Sequence, residues 1–218
     1  MTDLSLFPLN TVLFPGMQLK LHIFEERYKK MINVCIEEQK PFGVVLIKDG
    51  IEALGTMATP HDIGCTAQIT DVQRLPYDRM NIVAMGQQRF RISTITKTNP
   101  FLVADVDYFS PAIDHETQSN QYARLLRPLV NEYLDILSQV DEINFNKSQI
   151  PHAPRAIAQV ASILLQTENE KKQELLSIQR LSVLMRQLVE IYNLETMLLN
   201  VRISPPDDTL NIGPFSSN

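Results

Sequence analysis

The spacing of apolar residues along the chain changes near Pro111. Before this proline, apolar segments are short, rich in β-branched residues and separated by Gly, Pro and Asp, which is typical of β-strands. After it, glycine is absent until Gly213, and apolar residues recur at the spacing of amphipathic helices. The pattern therefore predicts a β-rich unit over residues 1–111, a helical bundle over residues 112–203 and a flexible tail over residues 204–218.

The N-terminal segment predicts a strand, a turn, a second strand and a short helix. Phe14-Pro15-Gly16 indicates the turn, because proline presets φ at the second turn position and glycine tolerates positive φ at the third. Pro8 cannot donate to a strand ladder, so the first strand is predicted to be an edge strand or to be bulged there. One helix face is predicted from the apolar residues Tyr28, Met31, Ile32, Cys35 and Ile36.

Further strands are expected before Pro111. The last of them alternates apolar residues with aspartates, so that one face is buried and the other wet. Gly86 lies within a segment that is long for one strand, and it is the predicted bulge or bend. The simplest arrangement of about six strands is a closed or nearly closed β-barrel. The predicted strand segments are Phe42–Ile47, Thr66–Leu75, Ile82–Ile95 and Phe101–Phe109.

Beyond Pro111, apolar residues fall at helical spacing in successive segments. Pro151 and Pro154 precede the second segment, a position where proline is compatible with a helix start. About four helices with one apolar face each are expected to form a small bundle, so the predicted fold class is α+β. The apolar faces run from Tyr122 to Leu137, from Ile157 to Leu165, through Leu175 and Leu176, and from Leu181 to Leu199.

Composition and charge narrow the classes of function. The formal net charge of −5 and the pI near 5.4 argue against nucleic acid or an anionic membrane as the main partner. No apolar run reaches the length of a membrane span, and Pro8, Asn10 and Pro15 break up the apolar stretch that a signal peptide needs. A cytoplasmic protein is expected, with Cys35 and Cys65 as reduced and mostly buried thiols.

Motifs for catalysis or cofactor binding are missing from the sequence. The segment from Gly50 to Thr56 has part of the spacing of a phosphate-binding loop, but Thr56 stands where the lysine must be. No G-x-S-x-G nucleophile elbow occurs, and the histidines lie far apart without metal-ligand spacing. These histidines are His22, His61, His115 and His152. No enzymatic activity, cofactor or metal is therefore expected.

Two groups of residues are candidates for contact with a partner protein. Tyr77, Arg79 and Met80 lie at a predicted loop tip, where exposed apolar groups can meet a partner, and an ordinary turn is the alternative. Met17 and Met57 could line a groove, because methionine adapts to varied partners, or they could pack in the core.

A basic and aromatic cluster raises the alternative of RNA binding. Arg89 and Arg91 share one face of a predicted strand, with Lys97 and Phe101 farther along, whereas Phe90 points to the opposite face. The aromatic ring and the charges therefore do not converge, and a solvated strand face is the preferred interpretation of these arginines.

The segment LFPLNTVLFPGMQLKLHIFEERYKKMI contains F-P-L, then L-F-P-G, then L-x-I-F-E-x-R-Y. A second block comprises Leu54-Gly55-Thr56 and later Gly86-x-x-Arg89-Phe90-Arg91-Ile92. With these motifs the chain, from Leu4 to Leu199, resembles the N-terminal domain of Lon proteases. The motif residues expected to be mainly structural are Phe7, Pro8, Phe14, Pro15, Gly16, Phe24, Glu25, Arg27, Tyr28, Gly55, Gly86, Arg89 and Phe90.

The resemblance implies a six-stranded PUA-like β-barrel with one short packed helix, followed by a bundle of about four helices. In Lon proteases this domain recognises substrate proteins and performs no chemistry. The chain is therefore expected to be a non-catalytic module for protein or peptide substrates, either unfolded or specific segments. Lon proteases continue into ATPase and protease domains, whereas this chain stops, so a stand-alone domain that serves a separate protease is expected. A small-ligand or RNA-binding PUA-like domain is the alternative, and the oligomeric state is left open.

Overall fold

The structure is a computed structural model that describes residues 2–50, 59–141 and 150–203. Within these residues the strands are β1 (Thr2–Leu9), β2 (Gln18–Ile23), β3 (Phe42–Asp49), β4 (Thr59–Leu75), β5 (Arg79–Lys97) and β6 (Leu102–Phe109). The helices are α1 (Glu26–Glu37), α2 (Glu116–Asp141), α3 (Pro154–Leu164), α4 (Asn169–Ser177) and α5 (Leu181–Ile203). The predicted α+β class is confirmed, with strands first and most helices after them.

The strands form one sheet in the order β2-β5-β4-β3-β1-β6, and β5 pairs with β6 as well. β1 runs parallel to β3, whereas the other pairs are antiparallel. β5 thus pairs with β2, β4 and β6, and the sheet is organised around this strand.

β4 begins well before the predicted Thr66, because its first part pairs with β3 and places Pro60 opposite Ile47. Pro60 and Gly64 belong to residue types that are depleted in strands, so the sequence pattern missed this part. At Gly64 the backbones of β3 and β4 approach closely, since a Cβ there would stand 2.3 Å from the Val44 carbonyl oxygen. Tertiary pairing has therefore overridden local propensity in β4.

The bulge predicted at Gly86 is present in β5. Gly86 pairs with Ala67 and Arg89 pairs with Cys65, so β5 has one more residue than β4 between these pairs. Such a bulge bends the strand and shifts the alternation of its side chains. Gly86 and Arg89 are consequently both buried, although residues three positions apart in a regular strand face opposite sides.

The prediction that β1 is an edge strand is wrong for the strand as a whole. Its first half pairs with β6, as far as Leu6 opposite Leu102, and its second half pairs with β3, from Leu6 to Leu9. Pro8 lies opposite Val45, beyond the ladder to β6. The missing N–H of proline is therefore tolerated at a place where β1 pairs with a single strand among those described.

Helices and sheet share a buried core. α2 packs along α5, and α3 contacts both. The apolar faces of these helices form one cluster that also contains Val12, Phe14, Leu46 and Ile63. A second cluster fills the space between α1 and the sheet, and a third lies beside β1, β5 and β6. The boundary placed near Pro111 stays a prediction, because the residues on its two sides pack together.

Both cysteines are buried, as predicted. Burial raises the pKa of Cys35 to about 11 and that of Cys65 to about 12. Because the thiolate is the reactive form of cysteine, neither side chain is suited to nucleophilic chemistry at neutral pH.

Candidate functional site

The β4–β5 hairpin ends in a tight tip at Pro76, Tyr77 and Asp78. Tyr77 and Asp78 both have positive φ values, 63° and 55°, a conformation that non-glycine residues seldom adopt and that is common in hairpin turns. The Arg79 Nε donates a hydrogen bond of 3.2 Å to the Pro76 carbonyl oxygen. This bond closes the tip, so its backbone is held in a conformation that the residue types alone would not favour.

The hairpin tip is fastened to α1 by a buried lysine. Lys29 donates from Nζ to the Tyr77 carbonyl oxygen at 3.0 Å and pairs with the Glu26 carboxylate at 2.8 Å. Farther from the tip, the Arg74 Nη2 donates to the Asn33 Oδ1 at 3.1 Å. Two separate contacts therefore fix the hairpin against the helix and keep the Tyr77 side chain at the surface.

Two aromatic side chains are exposed at this end of the sheet. Tyr77 is 85% exposed and Phe24 is 48% exposed. Ile23, the last residue of β2, pairs with Met80, and Phe24 is the first residue beyond this last pair, at the end of the sheet that carries the hairpin tip. The Arg79 guanidinium carbon lies 5.6 Å from the centre of the Tyr77 ring. We call Phe24, Tyr77 and Arg79 the hairpin-tip surface.

The predicted contact residues are only partly brought together. Tyr77 and Arg79 lie at the hairpin tip as expected, but Met80 is fully buried. Its proposed contact with a partner is therefore corrected, because strand alternation turns Met80 inward directly after the exposed Arg79. Met17 is partly buried and packs against two core clusters. Met57, like the motif residue Gly55, lies outside the described residues.

The motif residue Phe24, expected to be mainly structural, is half-exposed, and its role stays a prediction. Its ring lies 6.0 Å from the ring of His22, which is itself exposed and hydrogen bonds to Asn81. A signal was present in the sequence, since Ile23 faces the core and period-two alternation puts the next residue on the other side.

Other motif residues are buried or partly buried. The rings of Phe7 and Tyr28 stack with centroids 4.0 Å apart, and the Arg27 guanidinium carbon lies 4.5 Å from the Tyr28 ring centre. Arg27 also pairs with the Glu25 carboxylate at 2.9 Å. Pro8 and Phe90 are buried as well. The stacked rings of Phe7 and Tyr28 connect the start of α1 to β1.

The predicted turn at Phe14-Pro15-Gly16 is confirmed. The Met17 N–H donates to the Phe14 carbonyl oxygen at 3.0 Å, and Gly16 has a φ of 81°. Two further backbone hydrogen bonds join the turn to the bulge of β5, from Gly16 N to Gly86 O at 2.8 Å and from Gly86 N to Met17 O at 2.9 Å. The two glycine-containing motifs are thus in direct contact.

Arg89 does not lie on a solvated strand face, which corrects the expectation from the sequence. Its side chain is buried, and Nη1 donates to the carbonyl oxygens of Leu175, Leu176 and Ile178 at 3.3, 2.9 and 3.2 Å. These carbonyls belong to the end of α4, where backbone acceptors lack partners within the helix. Burial lowers the pKa of Arg89 to about 10, and the nearby Arg155 acts in the same direction. The guanidinium therefore stays charged at neutral pH.

A second exposed apolar surface lies near the end of α5. Leu194, Met197, Leu198 and Val201 are exposed, and their i, i+3, i+4, i+7 spacing places them on one face of the helix. This face borders the point where the chain continues into residues 204–218, which the structure does not describe.

Within the described part of the chain, no three His, Cys, Asp or Glu side chains gather as a metal ion would need. No helix in the ranges 2–50, 59–141 and 150–203 combines the length and the apolar character required to cross a lipid bilayer.

The fold is that of Lon N-terminal domains. A solved Lon N-terminal domain protein from Xanthomonas campestris superimposes with a TM-score of 0.62 at 24% identity, over 87% of this chain and 98% of that one. The N-terminal domain of a Mycobacterium avium complex Lon protease gives a TM-score of 0.61 at 17% identity, over 88% and 98% of the two chains.

The chain belongs to the family of the ATP-dependent protease La (LON) substrate-binding domain, which matches residues 3–193. The Lon protease of Porphyromonas gingivalis is 23% identical over 204 residues, which are 89% of this chain and 24% of that protein. The Lon protease of Flavobacterium johnsoniae is 26% identical over 205 residues, 92% of this chain and 25% of that protein. The chain therefore spans about a quarter of the length of these curated relatives.

Proposed function

We propose that this chain is a non-catalytic module that binds unfolded or specific segments of other proteins through the hairpin-tip surface. The family to which it belongs is described as a substrate-binding domain, and its curated relatives are proteases. We also propose that the bound proteins are delivered to a separate protease. The cytoplasmic location stays a prediction.

The observation that supports this surface most strongly is the exposure of Tyr77 and Phe24 on a rigid base. Aromatic residues and arginine are enriched in protein interfaces, and they provide much of the binding free energy there. Lys29 and Arg74 hold the hairpin before any partner arrives. Because little ordering is left to occur on binding, less of the interaction free energy is lost.

The finer architecture expected for the family is part of this proposal. The second pairing of β5, with β6, supports a PUA-like β-barrel. The contacts among α2, α3 and α5 support a helical bundle. In this arrangement the hairpin-tip surface and the face of α5 are separate binding candidates.

The test compares binding of a reduced and alkylated, permanently unfolded protein to the full chain and to surface variants. Tyr77→Ser and Phe24→Ser are expected to weaken binding about tenfold each. Tyr108→Ser is the matched control, because Tyr108 is also an exposed tyrosine but lies on β6. Biolayer interferometry with the unfolded protein immobilised measures each affinity, and circular dichroism checks that every variant is folded.

The exposed apolar face of α5 is the competing binding site, and a variant on that face shows which of the two surfaces binds the unfolded protein. If Met197→Ser on α5 abolishes binding while Tyr77→Ser and Phe24→Ser leave it intact, the hairpin-tip surface is not the binding site. Absence of binding to any unfolded protein or peptide would reject the function itself. Cleavage of labelled casein that follows the purified chain through successive columns would reject the non-catalytic assignment.

One observation favours a second candidate function, the binding of a small ligand. A cavity lies between the sheet and the helices and contains the buried charge of Arg89. RNA binding has no comparable support, since the aromatic ring of Phe90 is buried and unavailable for stacking on bases.

A further inference from the structure

A cavity of about 150 Å³ lies where the Phe14-Pro15-Gly16 turn, the β5 bulge and helices α3 and α5 meet. We call it the junction cavity. Because water occupies about 30 Å³ per molecule in the liquid, this space can hold several waters or one small organic group. Its polar lining comes from Arg89, Arg155, Ser110 and the glutamines Gln87, Gln88 and Gln159.

Arg89 brings a buried positive charge to the junction cavity. The side chain is among the buried charged groups, at 5% exposure, and within the described residues its side-chain hydrogen bonds all come from Nη1. No Asp or Glu of the described ranges forms an ion pair with it. Carbonyl oxygens accept hydrogen bonds from Nη1, and Nε and Nη2 have no acceptor among the described residues, so donors of this five-donor group are left for a partner.

Arg155, an exposed residue, adds a second positive charge to the lining of the cavity. It lies in the first turn of α3, where no acidic residue is present and where the helix dipole disfavours a cation. Arg155 lies close enough to Arg89 for its positive charge to help lower the pKa of the Arg89 guanidinium. Two neighbouring guanidinium groups without a carboxylate among the described residues form an environment that an anion would stabilise.

The remaining walls are apolar. Phe14, Pro15, Ala158, Leu181 and Leu184 line the cavity, and Phe14 and Leu184 belong to the largest buried cluster. Ligand sites that combine apolar walls with a few convergent polar groups recognise molecules with an apolar body and one polar end. A bare inorganic oxyanion would leave this apolar wall without a contact.

We propose that the junction cavity binds an organic carboxylate with a short apolar side group, through Arg89 and Arg155. Arginine binds carboxylates with two parallel hydrogen bonds, which explains why guanidinium groups rather than lysines suit the site. This binding rests on the second candidate function, to which it adds a ligand class, and it is separate from the hairpin-tip surface, because Tyr77 and Phe24 do not line the cavity. A free small acid and the C-terminus of a peptide carry the same chemistry, and the experiment separates these two sources.

The test uses isothermal titration calorimetry of the full chain with N-acetyl-L-leucine and with its amide, N-acetyl-L-leucinamide. The acid is expected to bind saturably and the amide is not, because only the acid carries a carboxylate. Arg155→Gln is expected to weaken binding of the acid about tenfold, whereas Arg155→Lys weakens it less. Arg91→Gln, on the exposed part of β5, is the matched control with unchanged binding. Thermal unfolding shows that each variant is folded.

A short peptide ending in leucine, with a free or an amidated C-terminus, identifies the source of the carboxylate. Binding of both the free-ended peptide and the acid assigns the site to peptide termini, and binding of the acid alone assigns it to small acids. Equal binding of acid and amide, no binding of either, or an unchanged affinity in Arg155→Gln would overturn the proposal. Inorganic phosphate that binds as tightly as the acid would overturn the preference for an apolar carboxylate. Tyr77→Ser is expected to leave binding of the acid unchanged, which separates this result from the proposed protein binding.

Discussion

Gly86 lies so close to Phe14 that a Cβ on Gly86 would stand 2.2 Å from the Phe14 carbonyl oxygen. Backbone hydrogen bonds on both sides of this contact hold the turn and the β5 bulge together. Gly16, at the other side of the turn, faces Gln159 of α3, whose Nε2 would be 2.5 Å from a Cβ there. The two glycine motifs therefore allow the sheet, the turn and the helices to meet at one point.

Gly86→Ala is expected to lower the free energy of unfolding by about 2–3 kcal/mol, because the added methyl group forces the turn away from the bulge. Urea unfolding followed by circular dichroism measures the change. Gln87→Ala is the control at the next, exposed residue, with a change within about 0.5 kcal/mol. A Gly86→Ala protein as stable as the wild type would show that the close approach is not required.

Lys29→Met is expected to loosen the hairpin tip and to lower stability by about 1–2 kcal/mol, because the Tyr77 carbonyl and Glu26 lose their donor. Hydrogen exchange measured by mass spectrometry should rise for the segment around Tyr77. Lys30→Met is the matched control, since Lys30 is exposed on the same helix. Similar exchange in the two variants would contradict the role of Lys29 as the anchor of the hairpin.

Arg89→Met is expected to destabilise the protein by about 2–3 kcal/mol, because the last carbonyls of α4 lose a charged donor. Arg89→Lys should recover part of this loss, since it keeps the charge but not the shape of the guanidinium. Arg91→Met provides the control at an exposed arginine of the same strand. Differential scanning calorimetry compares the variants, and equal losses at the two positions would refute the contact with α4.

Asp114 connects the start of the helical part to α5. Its carboxylate accepts hydrogen bonds from the Ser182 hydroxyl, at 2.5 Å, and from the Ser182 N–H, at 3.1 Å. The hydroxyl bond is the main reason that the pKa of Asp114 is lowered from 3.8 to about 2. The N–H is one of the donors at the helix start that lack a partner within the helix.

The lowered pKa of Asp114 predicts an acid-dependent loss of stability. The unfolded chain binds the proton more tightly than the folded one, so the stabilisation is complete above pH 3.8 and is lost as the pH falls toward 2. Asp114→Ala should therefore be less stable than the wild type near pH 6, and the difference should shrink as the pH approaches 2. Urea midpoints measured across this range test the prediction. A difference that is independent of pH would contradict it.

Local sequence patterns were sufficient for most elements of the fold. The i, i+3, i+4 spacing of Tyr28, Met31 and Ile32 indicated α1, and these residues are buried in the helix observed. Phe14-Pro15-Gly16 indicated a turn, because proline and glycine restrict or permit φ on their own. The motifs shared with Lon N-terminal domains indicated the family. Each of these inferences depends on residues that are close together in the sequence.

The candidate sites depended on contacts that no local pattern encodes. Arg89 looked like an exposed strand residue, yet it caps a helix whose Leu176 lies 87 positions farther along the chain. Met80 was expected at the surface, yet it is buried, because the register of the hairpin against β2 decided which face of the strand it occupies.

The sequence by itself determined the family and most of the strands, turns and helices, but not the first part of β4, which pairing with β3 decided. Only the tertiary structure decided that Arg89 and Arg155 would line one cavity and that Tyr77 would be held at the surface by Lys29. The physical reason is that local backbone preferences act over a few residues. Burial and hydrogen bonding between distant segments, by contrast, are settled when the sheet packs against the helices.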